Sequence, residues 1–165
     1  MEKTGTYELA KELVDMRDQG LAEARQGPHS LRTVATLDEV EYIDDSSSTF
    51  LDAALLSIID LGKPLVWIAG APMVAAMEDR LKAFMAQHVD AIVFYGKAAA
   101  DQVDALDAEL GQVYNADCLR TAVFAARELA QPGTRVLFSP ACPSTDEAAN
   151  HAERAAEFIR AVEDL

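Results

Sequence analysis

The sequence predicts a three-layer α/β fold, Rossmann-like, whose mostly parallel sheet opens on a β-hairpin and is preceded by an amphipathic helix. Three observations predict it. Short apolar runs alternate along the chain with helical stretches. The runs are continuous in the way of strands covered on both faces. Each closes on Gly or on polar residues, the usual signals of a strand end.

Taken in order, residues 6–25 place Tyr7, Leu9, Ala10, Leu13, Val14, Met16 and Leu21 at mainly three- and four-residue spacings, with charged residues between them. Gly27-Pro28 ends this helix. LRTVATL (31–37) and VEYI (40–43) read as two strands meeting at Asp38-Glu39. The later strands are PLVWIAG (64–70), AIVFYG (91–96), QVYNA (112–116) and RVLFSP (135–140). Helices are expected over about 50–61, 73–87, 97–109, 117–130 and 145–164. This divides the chain into an N-terminal arm, residues 1–26, and one domain, residues 27–165.

Composition narrows the function. With 28 Asp and Glu against 14 Lys and Arg, the formal charge is −14. Such a surface repels nucleic-acid phosphates and anionic lipid, so neither nucleic acid nor membrane is an expected partner. No apolar run long enough for a membrane span occurs, and the charged start lacks the apolar stretch of a signal peptide; the expected location is the cytoplasm. Cys118 and Cys142 fit neither a disulfide framework nor a metal spacing; both are expected as reduced thiols, and Cys142 in a packing role rather than as a nucleophile. His29 and His88 show no metal-ligand spacing either.

Ligands of such sheets sit beyond the carboxyl ends of the strands, which singles out the loops 44–49, 70–74, 96–97 and 139–146. No GxxxxGK[ST] and no GxGxxG after a strand is found. Ser46 to Thr49 can serve as helix caps or as ligand contacts. Ser139-Pro140-Ala141-Cys142-Pro143-Ser144 can equally be a turn that the fold needs.

Read together, GPHSLRTVATLDEVEYIDDSSSTF, KPLVWIAGAP and the closing SPAC-x-S-x-D with its downstream Asn and Glu-Arg resemble the C-terminal domain of the Mur ligases, in particular of the D-glutamate-adding kind. In that family the domain closes over a central ATPase domain, and the enzyme forms an acyl phosphate that the incoming amino acid attacks. The resemblance covers about residues 27–165. A P-loop centre and a UDP-binding front have no counterpart in the sequence.

The resemblance implies positions. Pro28-His29-Ser30 stands where the family has Pro-His-Arg, so His29 marks a nucleotide contact whose arginine is lost, with Arg32 a poor substitute. Asp45 matches an aspartate that touches the nucleotide's sugar, and Thr49 a threonine near the amino-acid carboxylate. In the same loop Ser47 replaces a lysine and Phe50 an asparagine; Val74 replaces a second lysine. Ser144 matches a serine that holds the D-glutamate side chain. Three lost cations, each worth about 1.5–3 kcal/mol as a charged hydrogen bond, remove roughly 6 kcal/mol, on the order of four powers of ten in affinity.

The expectation is therefore a non-catalytic, stand-alone relative that binds a partner protein or a small ligand, with vestigial contacts at His29, Asp45, Thr49 and Ser144, no catalytic residue, and neither metal nor cofactor of its own. A link to peptidoglycan synthesis follows from the resemblance alone. The alternative is one subunit of a split ATP-dependent D-glutamate ligase, in which ATP and Mg would act with a P-loop domain on another chain. The stripe on residues 6–25 either packs on the domain or covers a second chain, as a homodimer or a docking helix.

Overall fold

A computed structural model describes residues 31–143 and 150–165. The chain runs β1 (Arg32–Leu37), β2 (Val40–Asp44), α1 (Leu51–Leu61), β3 (Leu65–Gly70), a 3-10 helix (Ala71–Ala76), α2 (Asp79–His88), β4 (Ala91–Tyr95), α3 (Ala100–Leu110), β5 (Val113–Ala116), α4 (Leu119–Leu129), β6 (Arg135–Phe138) and α5 (His151–Glu163). The expected arm helix over 6–25, and with it His29 and Ser144, lies outside the described residues.

The six strands form one sheet in the order β1-β2-β6-β3-β4-β5. β1 pairs antiparallel with β2, and the other four pairings are parallel. The predicted hairpin is where Asp38-Glu39 placed it: both residues have positive φ, 50° and 62°, the conformation of a two-residue hairpin loop.

The central strands are buried on both faces because their side chains alternate between two cores. Leu65, Trp67 and Ala69 of β3 join α1, α2 and α3 through Ile58, Phe84 and Leu106. Val66 and Ile68 of the same strand join α4 and α5 through Val123 and Phe158. Each fully buried Trp67, Phe84, Phe94, Phe138 or Phe158 contributes about 1.5–3 kcal/mol of transfer free energy.

One expected helix is corrected. The stretch 73–87 is not continuous: the 3-10 helix ends at Ala76, Met77 and Glu78 are non-helical, and α2 starts at Asp79. Ala71, Val74 and Met77 are buried at a spacing of three, the period of a 3-10 turn. That spacing also occurs on an α-helical stripe, so the apolar pattern alone did not separate the two.

The order of strands creates a crevice. The chain leaves β2 through α1 on one face and reaches β6 through α4 on the other, so β6 enters between β2 and β3. The carboxyl ends of these three strands meet at this switch in topology, the place where open α/β sheets hold ligands.

Candidate functional site

At that edge the strand ladders continue into the loops. Asp45 N donates to Phe138 O (2.8 Å), Ser139 N to Ile68 O (3.2 Å), Gly70 N to Pro140 O (2.9 Å) and Ala141 N to Ser48 O (2.9 Å). The loop after β2 and the loop after β6 are thereby stitched to each other and to the end of β3.

Asp45 is the node of this mesh. Its carboxylate is 4% exposed, and Oδ2 accepts from Ser57 Oγ of α1 (2.7 Å) and from Ser139 Oγ (2.8 Å). The Ser48 hydroxyl bonds it as well. Burial raises its pKa above the ordinary carboxylate value, while the three hydroxyls and the neighbouring Asp44 charge pull in opposite directions with smaller effect. Asp44 is buried beside it; Oδ1 accepts from Ser46 N (3.1 Å), and Oδ2 lies 3.7 Å from Arg32 Nη2. The basic group seen at this loop, Arg32, is thus turned toward Asp44.

The capping role expected of Ser46 to Thr49 is corrected. Phe50 is the N-cap of α1, with extended backbone and no side-chain cap bond. The polar residues are instead drawn into the mesh: Ser48 N donates to Asp45 O (3.0 Å) and Thr49 N to Ser47 O (2.9 Å). Thr49 is half-buried on the same loop as Asp45, whereas Phe50 is 71% exposed at its end. The Ser46 hydroxyl is buried without a partner.

Across the crevice, Gly70 is required by close approach. A Cβ there would collide with the Cys142 sulfur and crowd Pro140 O at 3.2 Å. Cys142 is buried and packs directly on Gly70, the packing role expected of it. Trp67 Nε1 donates to Ser139 O (2.8 Å) beneath it. Arg154 of α5 reaches under the same loop, with Nη1 donating to Cys142 O (3.1 Å). Burial pushes the Cys142 thiol up. It also pushes the Tyr95 hydroxyl at the end of β4 up to about 12, against the pull of the Arg154 guanidinium.

Of the site residues expected from sequence, the described part contains Asp45 and Thr49, on one loop, with the Asp45 carboxylate facing inward. Sequence reasoning missed Ser57, Tyr95 and Arg154. Arg154 had left a signal: it falls on the apolar stripe of Ala155, Phe158, Ala161 and Val162, where a charged side chain needs a reason. Among the described residues, no group of three or more His, Cys, Asp or Glu side chains is placed to hold a metal ion, and no helix is long and apolar enough to cross a membrane.

The architecture is a mostly parallel α/β sheet led by an antiparallel hairpin, with the Asp-Ser-rich loop set against the Ser-Pro-Ala-Cys loop. No family model matches the chain. It is 42% identical over 146 residues to a UDP-N-acetylmuramoylalanine--D-glutamate ligase of Cupriavidus pinatubonensis, covering 88% of this chain and 29% of that protein. Ligases of the same name from Cupriavidus metallidurans and Burkholderia mallei are 41% and 39% identical over the same extent. The chain thus spans under a third of the length of these relatives. Among solved structures, a domain assigned to a UDP-N-acetylmuramate:L-alanyl-gamma-D-glutamyl-medo-diaminopimelate ligase of Haemophilus ducreyi matches in fold, with a TM-score of 0.52 and 16% identity over 81% of this chain and 99% of that one. The chain is thus a homologue of these D-glutamate ligases over part of their length, in the manner of a C-terminal domain.

Proposed function

We propose that this domain binds rather than catalyses: a Mur-ligase-derived module that takes a partner protein or a small ligand in connection with peptidoglycan synthesis, and that does not itself hold a nucleotide. The observation that supports this most is the Asp45 carboxylate. Its charge faces the serines of its own fold, and the same loop carries Ser47 and Phe50 where the family resemblance places lysine and asparagine. A sugar hydroxyl approaching Asp45 would have to displace a bond from Ser57, Ser139 or Ser48. A phosphate approaching the loop would meet the buried Asp44 and Asp45 pair, with Arg32 already turned to Asp44.

Titration calorimetry with MgATP tests the reading. No saturable heat is expected; millimolar or tighter binding that disappears in Asp45→Asn would overturn it.

A second reading has its own support. The Ser139–Cys142 loop keeps the family's string and is bonded to the end of β3 and to the loop after β2, and 42% identity to a ligase is compatible with a working part of one. Here the domain is one subunit of an ATP-dependent D-glutamate ligase, ATP and Mg acting with a P-loop domain on another chain that supplies the missing cations across the interface. ATP turnover seen only when such a domain is mixed with this chain would favour it.

A further inference from the structure

Helix α1 is apolar on two sides. Ala54, Leu55 and Ile58 are buried in the core beneath it. Leu56 lies two residues, about 200° of helical turn, from both Ala54 and Ile58, so it stands on the outward side, with Ala53 and Ile59 one turn to either side of it. All three are half-buried, and Asp52 and Asp60 are the only exposed residues of the helix. Its neighbour in the same layer differs: α3 exposes Asp101, Gln102, Asp104, Asp107 and Glu109, the polar outer face of a helix that meets water. A helix that is apolar all round belongs inside a structure, so the outward side of α1 calls for a cover.

The chain carries a segment of matching length. Residues 6–25 place Tyr7, Ala10, Leu13, Val14 and Leu21 on one stripe; from Tyr7 to Leu21 a helix is about 21 Å long, against about 15 Å for α1. The point where this segment joins the domain fits as well. It leads through residues 26–31 to Arg32, which pairs with Asp44 at the end of β2, and α1 starts after the loop that follows Asp44. Two exposed apolar residues, Leu31 and Phe50, flank this edge. The six residues 26–31 reach at most about 20 Å, enough to bring the end of the segment to the start of α1, with the two helices antiparallel. Charge selects the segment over a second copy of α1. Two copies face to face would set Asp52 and Asp60 against the same acids, whereas the segment brings Lys11 and Arg17.

We propose that the outward side of α1 is the docking surface for the amphipathic segment 6–25 of the same chain, with Leu21 near the start of α1 and Leu13 and Val14 near Leu56 and Ile59. The stripe is then satisfied within the molecule, and neither a homodimer nor a partner protein takes it. The assignment does not depend on what the crevice binds.

The test uses the full chain. Methyl NMR spectra should show nuclear Overhauser contacts from Leu13, Val14 or Leu21 to Leu56 and Ile59, and an isotope-filtered spectrum of an equal mixture of labelled and unlabelled chains should show none of them. Leu56→Glu should remove the contacts and speed amide exchange across residues 9–21 by about tenfold or more, leaving the amide shifts of the sheet in place; Ala108→Glu on the exposed side of α3 should do neither. Contacts found between chains would put the segment on a second copy and overturn the proposal. So would contacts found in neither spectrum, or a segment that exchanges as fast in the wild type as in Leu56→Glu. Should that variant not fold, the two wild-type spectra decide alone.

Discussion

Two opposite charges are buried a few residues from the same crevice, and their surroundings differ. Asp45 meets three hydroxyls from three segments of the fold. Arg154 meets carbonyls through Nη1 and has no hydrogen-bond partner at Nε and Nη2. The contrast separates a group absorbed by the architecture from one that still has bonding capacity to offer. Both residues lie in segments that carry the family resemblance, Asp45 in the Asp-Ser-rich loop and Arg154 in the Glu-Arg pair downstream of the Ser-Pro-Ala-Cys string.

The contrast is broken most directly by truncation. Asp45→Ala removes the acceptor shared by Ser57, Ser139 and Ser48 and should cost about 2–4 kcal/mol in denaturant unfolding. Next in size, Gly70→Ala forces a Cβ against Cys142 and should cost about 1–3 kcal/mol. Adding Cys142→Ala should recover most of that loss, and a double variant no more stable than the single one would show that Cys142 does not pack on Gly70 as described. Arg154→Met should cost only about 1 kcal/mol or less, because an apolar chain of similar length replaces a buried charge whose Nε and Nη2 have no hydrogen-bond partner. If it destabilises as much as Asp45→Ala, the distinction between the two charges is lost. The smallest effect sharpens the location: Cys118 is exposed, and its hydrogen bonds with Thr121 lower its pKa, while burial raises that of Cys142. Iodoacetamide should therefore label Cys118 in the folded protein and leave Cys142 until unfolding.

Much of the fold was legible because strand and helix signals were strong where burial is two-sided. LVWIAG and AIVFY are strands flanked by both cores, and their uninterrupted apolar runs said so. The hairpin followed from two polar residues between apolar runs. The break after Ala76 was not legible, since positions 71, 74 and 77 satisfy two helical periods at once. At the site, the sequence identified Asp45 and Thr49 as neighbours on a loop but not the direction of the carboxylate. That direction depends on Ser57 and Ser139, 12 and 94 residues away, and such pairings arise only when α1 and β6 assemble. The serines of the loop looked like helix caps for the same reason: local preference was visible, and the buried acid competing for them was not.

The pH dependence of Asp45 ties these points together. Its folded-state pKa is raised, so the folded chain holds this proton to higher pH than the unfolded chain does. The stability gained is present below the ordinary 3.8 and declines as pH rises through the raised value. Asp45→Asn should flatten that part of the profile.

Titration of the Asp45 carboxyl carbon by NMR, with and without MgATP, is the most direct measurement of whether this charge serves the fold or a ligand. The inflection should lie above 3.8 and stay unmoved by nucleotide. An inflection at or below 3.8, or one displaced by MgATP, would show the carboxylate turned outward and the account wrong.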